Sequence, residues 1–165
     1  MSPRLTRWIA TGFGSGLLKP ASGTWGTAAA MPVPVLLGLL VPAPWSQLAL
    51  FVIAAAVFYF GLRITTEAEA LFGEKDPHPV VLDEFVGCWI SVLGVPFQFR
   101  PREIALFCVA FLLFRAFDVV KPFGIRRLQA FPGGLGIMID DAAAGALTLA
   151  GTMLVAGALD HTGFW

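Results

Sequence analysis

Five apolar runs, separated by shorter polar stretches, divide the chain. They cover residues 28–41, 47–62, 80–96, 104–117 and 142–159. A helix needs about 20 residues, with a range near 17–25, to cross the hydrocarbon core of a bilayer. The second, third and fifth runs reach or approach this range, whereas the first contains Pro32 and Pro34 and the fourth is short. The pattern predicts an all-α, polytopic membrane helical bundle of four to five transmembrane or re-entrant helices, forming one domain over residues 1–165.

Composition supports a membrane environment. Hydrophobic residues make up 57% of the chain and charged residues 13%, against about 25% charged in typical soluble proteins. The formal net charge is zero, which gives no support for nucleic-acid binding. Cys88 and Cys108 lie in apolar runs without a CxxC pair, so we expect packing residues rather than a disulfide or zinc site. No oligomeric state follows from the sequence.

The basic residues predict how the chain is oriented. If the N-terminus is cytoplasmic and all five runs cross, nine of the eleven Lys and Arg residues lie inside and only Arg100 and Arg102 outside. This is the bias that the positive-inside rule expects. The acidic residues follow it, except Glu103 and Asp160. One face of the membrane is therefore expected to carry nearly all of the chemistry.

A glycine-rich segment, residues 12–27, is the first polar stretch on that face. Its sequence, GFGSGLLKPASGTWGT, favours a tight loop over a helix. Such loops expose backbone N–H groups that bind phosphate, with Lys19 adding positive charge. The segment matches neither the P-loop nor the GxGxxG pattern. A plain re-entrant turn is the alternative interpretation.

Two adjacent carboxylates, Asp83 and Glu84, lie inside the third apolar run. A carboxylate at bilayer depth costs about 2.5–3.5 kcal/mol on insertion scales, which indicates either metal coordination or pairing with an arginine. Asp83, Gly87, Ile90 and Gly94 share one helical face. Because this face has small residues, a neighbouring helix is expected to pack closely against it.

A further polar cluster lies between the fourth and fifth runs. Arg115 and Asp118, three residues apart, are expected on one side of a helix that Pro122 ends. Lys121 lies just before that proline, and the basic residues that follow are Arg126 and Arg127. The cluster therefore joins carboxylates and cations at one end of the fourth helix.

Asp140 and Asp141 are expected to open the fifth helix, where carboxylates suit a helix N-terminus. An ordinary capping role is the alternative. Asp141, Gly145, Thr148 and Thr152 form a small-residue stripe resembling the one in the third run. We predict that the two stripes pack together and bring both acidic pairs into one site.

Carboxylates, cations and a glycine-rich loop on one membrane face favour a metal-dependent phosphatase acting on an anionic lipid. Hard oxygen ligands suit magnesium, which holds a phosphoryl oxygen and activates water, while Lys and Arg neutralise the transition state. Other phosphatase chemistries lack their residues. No arginine follows either cysteine at the sixth position, His78 and His161 are predicted at opposite faces, and no G-x-S-x-G elbow occurs.

Four motifs in order resemble the phosphatidylglycerophosphatase A family. They are residues 12–26, 81–87 (VLDEFVG), 114–122 (FRAFDVVKP) and 133–141 (GGLGIMIDD). The family pattern often has proline where this chain has Ser22. The resemblance implies a multi-pass enzyme of the bacterial inner membrane, with its active site on the cytoplasmic side. It would convert phosphatidylglycerophosphate to phosphatidylglycerol with Mg²⁺. The site candidates that it implies are Lys19, Thr24, Asp83, Glu84, Asp118, Lys121, Asp140 and Asp141.

Residues and resemblance together give a specific site prediction. The expected ligands of one or two Mg²⁺ ions are Asp83, Glu84, Asp140 and Asp141. The expected catalytic residues are Asp83, Glu84, Asp118, Lys121 and Asp141. The expected phosphate-binding residues are Lys19, Thr24, Gly26, Arg126 and Arg127. The nucleophile is water or, alternatively, a carboxylate.

Two other functions use similar residues. A small transporter would use intramembrane carboxylates for ion coupling, but its sites usually lie near the bilayer midplane, whereas these carboxylates gather at one face. A lipid head-group transferase of the CDP-alcohol type would carry several aspartates along one run of Asp-Gly and Ala-Arg pairs, and no such run is present. A lipid phosphatase is therefore favoured over both.

Overall fold

The computed structural model describes residues 1–162, and these residues form an all-helical bundle, as predicted. Two 3-10 turns, Ser15–Leu17 and Ile125–Ala130, lie between helices. No strand occurs within residues 1–162. The α-helices of this range are α1 (Pro3–Ala10), α2 (Ser22–Ala30), α3 (Pro32–Leu40), α4 (Trp45–Phe72), α5 (Leu82–Ser91), α6 (Pro101–Val120) and α7 (Gly134–Thr162).

Three helical stretches of the described chain are long and apolar enough to cross a membrane. They are Ser22–Leu40, which joins α2 and α3, then Trp45–Phe72 and Gly134–His161. This confirms the membrane helical bundle. The third and fourth predicted runs correspond to α5 and α6. Helix α6 has 20 residues but carries charged side chains near both ends.

Helix α5, which lies in the third run, is too short to cross a bilayer by itself. It has ten residues, which at 1.5 Å per residue give about 15 Å, half of a hydrocarbon core of about 30 Å. Helices α2, α4, α6 and α7 surround it, and nine of its residues are buried. A short helix with irregular backbone after it is tolerated at membrane depth because protein, not lipid, surrounds it.

Helices α5 and α7 pack closely against each other, and their contact uses both predicted small-residue stripes. A methyl group built on Gly87 would lie 2.7 Å from the Asp141 carbonyl oxygen. A methyl group on Gly145 would collide with the carbonyl of Gly87. The predicted packing of the stripes is therefore confirmed, and it sets the first turn of α5 beside the second turn of α7.

The expectation of a loop over residues 12–27 is wrong for its second half, because α2 begins at Ser22. The glycines there permit close helix packing rather than a turn. A methyl group on Gly26 would lie 2.6 Å from Val81 Cβ, and one on Gly23 would lie 2.8 Å from an Arg115 guanidinium nitrogen. Only the first half forms a turn, with Gly14 at φ 95°.

Helix α7 also begins earlier than predicted, at Gly134, so Asp140 and Asp141 lie in its second turn and do not cap it. The Gly134 N–H donates to Thr66 Oγ1 at 2.7 Å, which gives the helix a cap from α4. Because Gly134 has no side chain, its backbone packs directly against Leu62. The capping interpretation of the two aspartates is therefore excluded.

Candidate active site

A polar pocket of about 300 Å³ lies where the N-terminus of α2, the loop before α5, and helices α5, α6 and α7 meet. All five residues predicted to be catalytic line it, so the structure brings the three polar segments together as expected. The complete lining is Ala21, Ser22, Gly23, Asp76, Pro77, His78, Val80, Asp83, Glu84, Arg115, Asp118, Lys121 and Asp141.

Three buried carboxylates form the centre of the pocket. Asp83 and Glu84 come from the first turn of α5, and Asp141 comes from α7. One oxygen atom from each lies within 4.8 Å of the other two. Each of the three also has a buried oxygen (Asp83 Oδ1, Glu84 Oε2 and Asp141 Oδ2) to which none of the described residues donates a hydrogen bond. Unpartnered buried oxygens are costly, so this arrangement suits a cation.

Arg115, on α6, provides one positive charge at the edge of this trio. Its NH1 atom lies 2.7 Å from Asp118 Oδ2 and 3.9 Å from Glu84 Oε1. The same atom donates to Thr27 Oγ1 of α2 at 3.4 Å. Arg115 therefore connects α2, α5 and α6, and its partner Asp118 is held by the guanidinium rather than left open to a ligand.

Lys121 provides the second positive charge. Helix α6 ends at Val120, and Lys121 takes φ 48° immediately before Pro122, which confirms the predicted helix end. Its ammonium lies 3.5 Å from Asp118 Oδ1 and 3.7 Å from Asp141 Oδ1, and it contacts Asp140 directly. Burial by itself lowers the pKa of Lys121, but Asp141 and Asp140 outweigh it and raise that pKa above its ordinary value. The raised pKa favours the charged form of the lysine.

Asp140 differs from the three central carboxylates. Its Oδ2 atom contacts Lys121, and its Oδ1 atom accepts the Asp141 N–H at 3.0 Å. Both oxygens thus have partners within the protein. Of the four predicted metal ligands, three share one cluster, and Asp140 lies beside it holding Lys121.

The predicted phosphate-binding residues lie outside the lining of the pocket. Lys19 is exposed, Thr24 is half-buried, and Arg126 and Arg127 are exposed on the 3-10 turn Ile125–Ala130. Gly26 is buried and packs against Val81. The structure therefore does not bring these five residues together with the carboxylates.

Several lining residues were not among the predicted site residues. Arg115 had a signal in the sequence, since it lies one helical turn before Asp118. Gly23 had none, because its role depends on the distance between α2 and Arg115. Ser22 Oγ donates to the His78 carbonyl at 2.6 Å and so ties the N-terminus of α2 to the loop carrying Asp76. The first N–H groups of a helix lack intrahelical partners, and those of α2 begin at this pocket.

A family model and two of three curated relatives point to one family. The family model for phosphatidylglycerophosphatase A matches residues 8–156. A Bacteroides thetaiotaomicron protein named "Putative phosphatidylinositol-3-phosphatase" is 41% identical over 140 residues, 83% of this chain and 84% of that protein. Phosphatidylglycerophosphatase A of Haemophilus influenzae is 37% identical over 134 residues, covering 81% and 77% of the two chains.

The Escherichia coli phosphatidylglycerophosphatase A is 34% identical over 141 residues, which cover 85% of this chain and 77% of that protein. No solved structure matches the chain. The range matched by the family model contains every residue that lines the polar pocket.

Proposed function

The chain belongs to the phosphatidylglycerophosphatase A family, and from this we propose that it hydrolyses the terminal phosphomonoester of phosphatidylglycerophosphate to phosphatidylglycerol and phosphate. The observation that carries the proposal is the cluster of three buried, incompletely paired carboxylates between two cations. A phosphomonoester reaction needs cationic charge around the phosphate and oxygen ligands for a divalent ion. This pocket offers both.

Magnesium fits the donor set of the pocket. Five carboxylates line it (Asp76, Asp83, Glu84, Asp118 and Asp141), against the cations Arg115 and Lys121, a formal excess of three negative charges. A dianionic phosphate would not enter such a pocket without further positive charge. Asp83, Glu84 and Asp141 would hold Mg²⁺, which prefers carboxylate oxygens and keeps water in its coordination shell. When bound, Mg²⁺ would supply Lewis acidity toward a phosphoryl oxygen and a coordinated water.

The residues of the chain then have distinct roles in the proposed reaction. Lys121 neutralises charge that develops on the phosphoryl oxygens, and Asp140 holds its ammonium in position. Asp118, fixed by Arg115 at 2.7 Å, positions both cations. The N-terminal N–H groups of α2 donate to a phosphate oxygen, an interaction that helix N-termini favour. Packing of α5 against its neighbours excludes bulk water from the carboxylates.

The site would face the cytoplasm from a bacterial inner membrane. The excess of basic residues around the pocket end of the bundle supports this orientation. At the other end of α6 and α7, Arg102 pairs with Asp160 at 2.8 Å, so the few outward charges neutralise one another.

A second head group is a specific alternative. The relative from Bacteroides thetaiotaomicron is 41% identical over most of both chains, and its name refers to phosphatidylinositol-3-phosphate. Both lipids carry a phosphomonoester on a polyol head group that a phosphodiester joins to diacylglycerol. The carboxylates and cations described above would bind either phosphomonoester in the same way. Selectivity between the two head groups must therefore come from residues at the rim of the pocket.

The direct test is phosphate release by the detergent-purified protein, with Mg²⁺ and with EDTA. We expect Mg²⁺-dependent release from phosphatidylglycerophosphate and much slower release from phosphatidic acid. Faster release from phosphatidylinositol 3-phosphate would instead establish the second head group. Ion-dependent flux in vesicles, without release of phosphate from any of these lipids, would favour the transporter.

The exposed cations are expected to act on lipid encounter rather than on chemistry. A basic residue near an anionic membrane surface contributes about 1 kcal/mol, so replacing both Arg126 and Arg127 with Gln should raise KM about tenfold or more and leave kcat unchanged. Rates in mixed micelles at increasing salt would show this, because salt should remove the difference. Arg100→Gln, at the opposite end of the bundle, is the matched control. A fall in kcat at unchanged KM would contradict this role.

A further inference from the structure

An apolar groove of about 560 Å³ lies between α3 and α6, and it has no lining residue in common with the polar pocket. Its walls include Met31 and Val35 on one side and Phe107, Cys108, Phe111 and Leu112 on the other. Leu112 is 66% exposed, so the groove opens sideways toward the position of lipid. The groove has an apolar lining, so it does not suit the charged head group of a lipid. An acyl chain would match this lining.

Both walls of the groove follow helix faces that also carry residues of the polar pocket. Along α6, Cys108, Phe111, Arg115 and Asp118 follow one another at intervals of three or four residues, so they share a helical face. Along α2, Thr27 lies four residues before Met31 and accepts a hydrogen bond from Arg115 NH1. The groove and the pocket therefore lie along the same faces of α2 and α6, and the contact between Thr27 and Arg115 lies between them.

The distance along α6 from the groove to Arg115 matches the length of an acyl chain. The eleven steps from Ile104, which lines the groove, to Arg115 correspond to about 16 Å of helix at 1.5 Å per residue. An acyl chain occupies one half of a hydrocarbon core, which is about 15 Å. Arg115 Nε is buried, and no described residue accepts a hydrogen bond from it. This Nε–H group lies between the groove and the pocket, and a shift of the Arg115 side chain would expose it to the phosphodiester of a bound lipid.

We propose that this groove binds one acyl chain of the lipid substrate, so that the lipid enters sideways between α3 and α6 with its phosphomonoester in the polar pocket. Arg115 would contact the phosphodiester between them. This inference rests on the proposed lipid phosphatase function and adds an acyl-chain subsite to it. Since an acyl chain is already in an apolar solvent, the groove acts by positioning the head group and not by hydrophobic transfer.

The larger cavity of the protein, about 840 Å³, is a poorer candidate for the chain. It lies between the N-terminal turn, α4 and the opposite face of α5, where Leu82, Phe85 and Trp89 point. Asp83 and Glu84, on the other side of the same helix, line the polar pocket. A lipid with its chain in this cavity would have α5 between the chain and the carboxylates.

A bulky side chain placed in the groove should affect substrates with long acyl chains and spare those with short ones, and this difference tests the proposal. Cys108 is an exposed residue on its wall, and Cys108→Trp should lower kcat/KM for a dioleoyl substrate about tenfold, because a misplaced head group reacts slowly. A dihexanoyl substrate, whose chains end before the blocked part, should react at the wild-type rate. Ala56→Trp, in the larger cavity, is the matched control and should change neither. Unchanged dioleoyl turnover in Cys108→Trp, or selective loss in Ala56→Trp, would overturn the proposal.

Photo-crosslinking of the wild-type protein decides the case if Cys108→Trp fails to fold. The probe is a non-hydrolysable phosphonate analogue of phosphatidylglycerophosphate with a diazirine near the end of one acyl chain, bound in the presence of Mg²⁺. We expect adducts in residues 31–35 and 107–112, reduced by unlabelled lipid. Adducts in α1 or α4, or spread evenly over the lipid-facing surface, would refute the groove. Wild-type hydrolysis of the dihexanoyl substrate reports separately on the phosphatase function.

Discussion

Asp141→Asn is expected to reduce phosphate release by more than about 100-fold at saturating Mg²⁺. Loss of a group that only supports a metal ligand typically costs 10–100-fold, and Asp141 is placed as a ligand itself. The substitution keeps size and shape but removes one of three charges that face one another within 4.8 Å. Initial rates over a magnesium titration, with Asp83→Asn in parallel, measure the effect. Near-native rates for either variant at saturating magnesium would contradict the proposed site.

The chain offers a matched control for the loss of a buried carboxylate. Glu84 and Glu103 each have a buried Oε2 atom without a partner among the described residues. Each also lies near an arginine, at 3.9 Å from Arg115 and 3.6 Å from Arg102 respectively. Only Glu84 lines the pocket. Glu84→Gln should abolish activity, whereas Glu103→Gln should leave kcat unchanged. Equal losses in the two variants would indicate damage to the bundle and not to a site.

Much of the site could be predicted from the sequence, because a charged residue inside a membrane-buried segment usually has a functional or structural role. A carboxylate in an apolar run is expensive, so Asp83 and Glu84 stood out against their neighbours. The stripes that contain Gly87 and Gly145 predicted which helices would meet. Once these helices pack, the acidic residues next to the stripes must come together, and the structure confirms this for Asp141.

The helix boundaries were less predictable because glycine has two opposite uses. The same residue type forms turns and allows close helix packing, and the local sequence does not distinguish these uses. Gly23 and Gly26 were therefore assigned to a loop although they lie in α2, and Gly134 was assigned to the segment before α7. In each case the deciding contact comes from a residue distant in sequence, such as Val81 or Thr66.

The sequence also does not predict which charged residue pairs with which. Asp140 and Asp141 are adjacent and chemically identical, yet Asp140 holds Lys121 while Asp141 leaves an oxygen unpartnered. Consecutive helical residues point about 100° apart, so one faces α6 and the other faces α5. The positions of α5 and α6 around α7 are set by the packing of the whole bundle and cannot be read from the sequence next to the two aspartates.

Gly145→Ala is expected to lower both stability and activity, although alanine is the better helix former. In an exposed helix interior, Gly→Ala typically stabilises by up to about 1 kcal/mol. At Gly145 the added methyl group would collide with the Gly87 carbonyl, and overpacking of this kind costs about 1–3 kcal/mol. Asp141 lies one turn away on the same face, so separating α5 from α7 also pulls it from Asp83 and Glu84. We expect a lower melting temperature in detergent and a loss of activity of about 100-fold.

Gly157→Ala provides the comparison on the same helix. Gly157 is exposed, and apart from its chain neighbours and the backbone of its own helix no described atom lies within 4 Å of a methyl group built there. Alanine at this position should therefore keep full activity and a melting temperature equal to or above that of the wild type. Because both variants make the same chemical change in α7, the difference between them isolates the helix crossing. If Gly145→Ala behaves like Gly157→Ala, the close approach of α5 and α7 does not hold the carboxylates together, and the proposed metal site loses its structural basis.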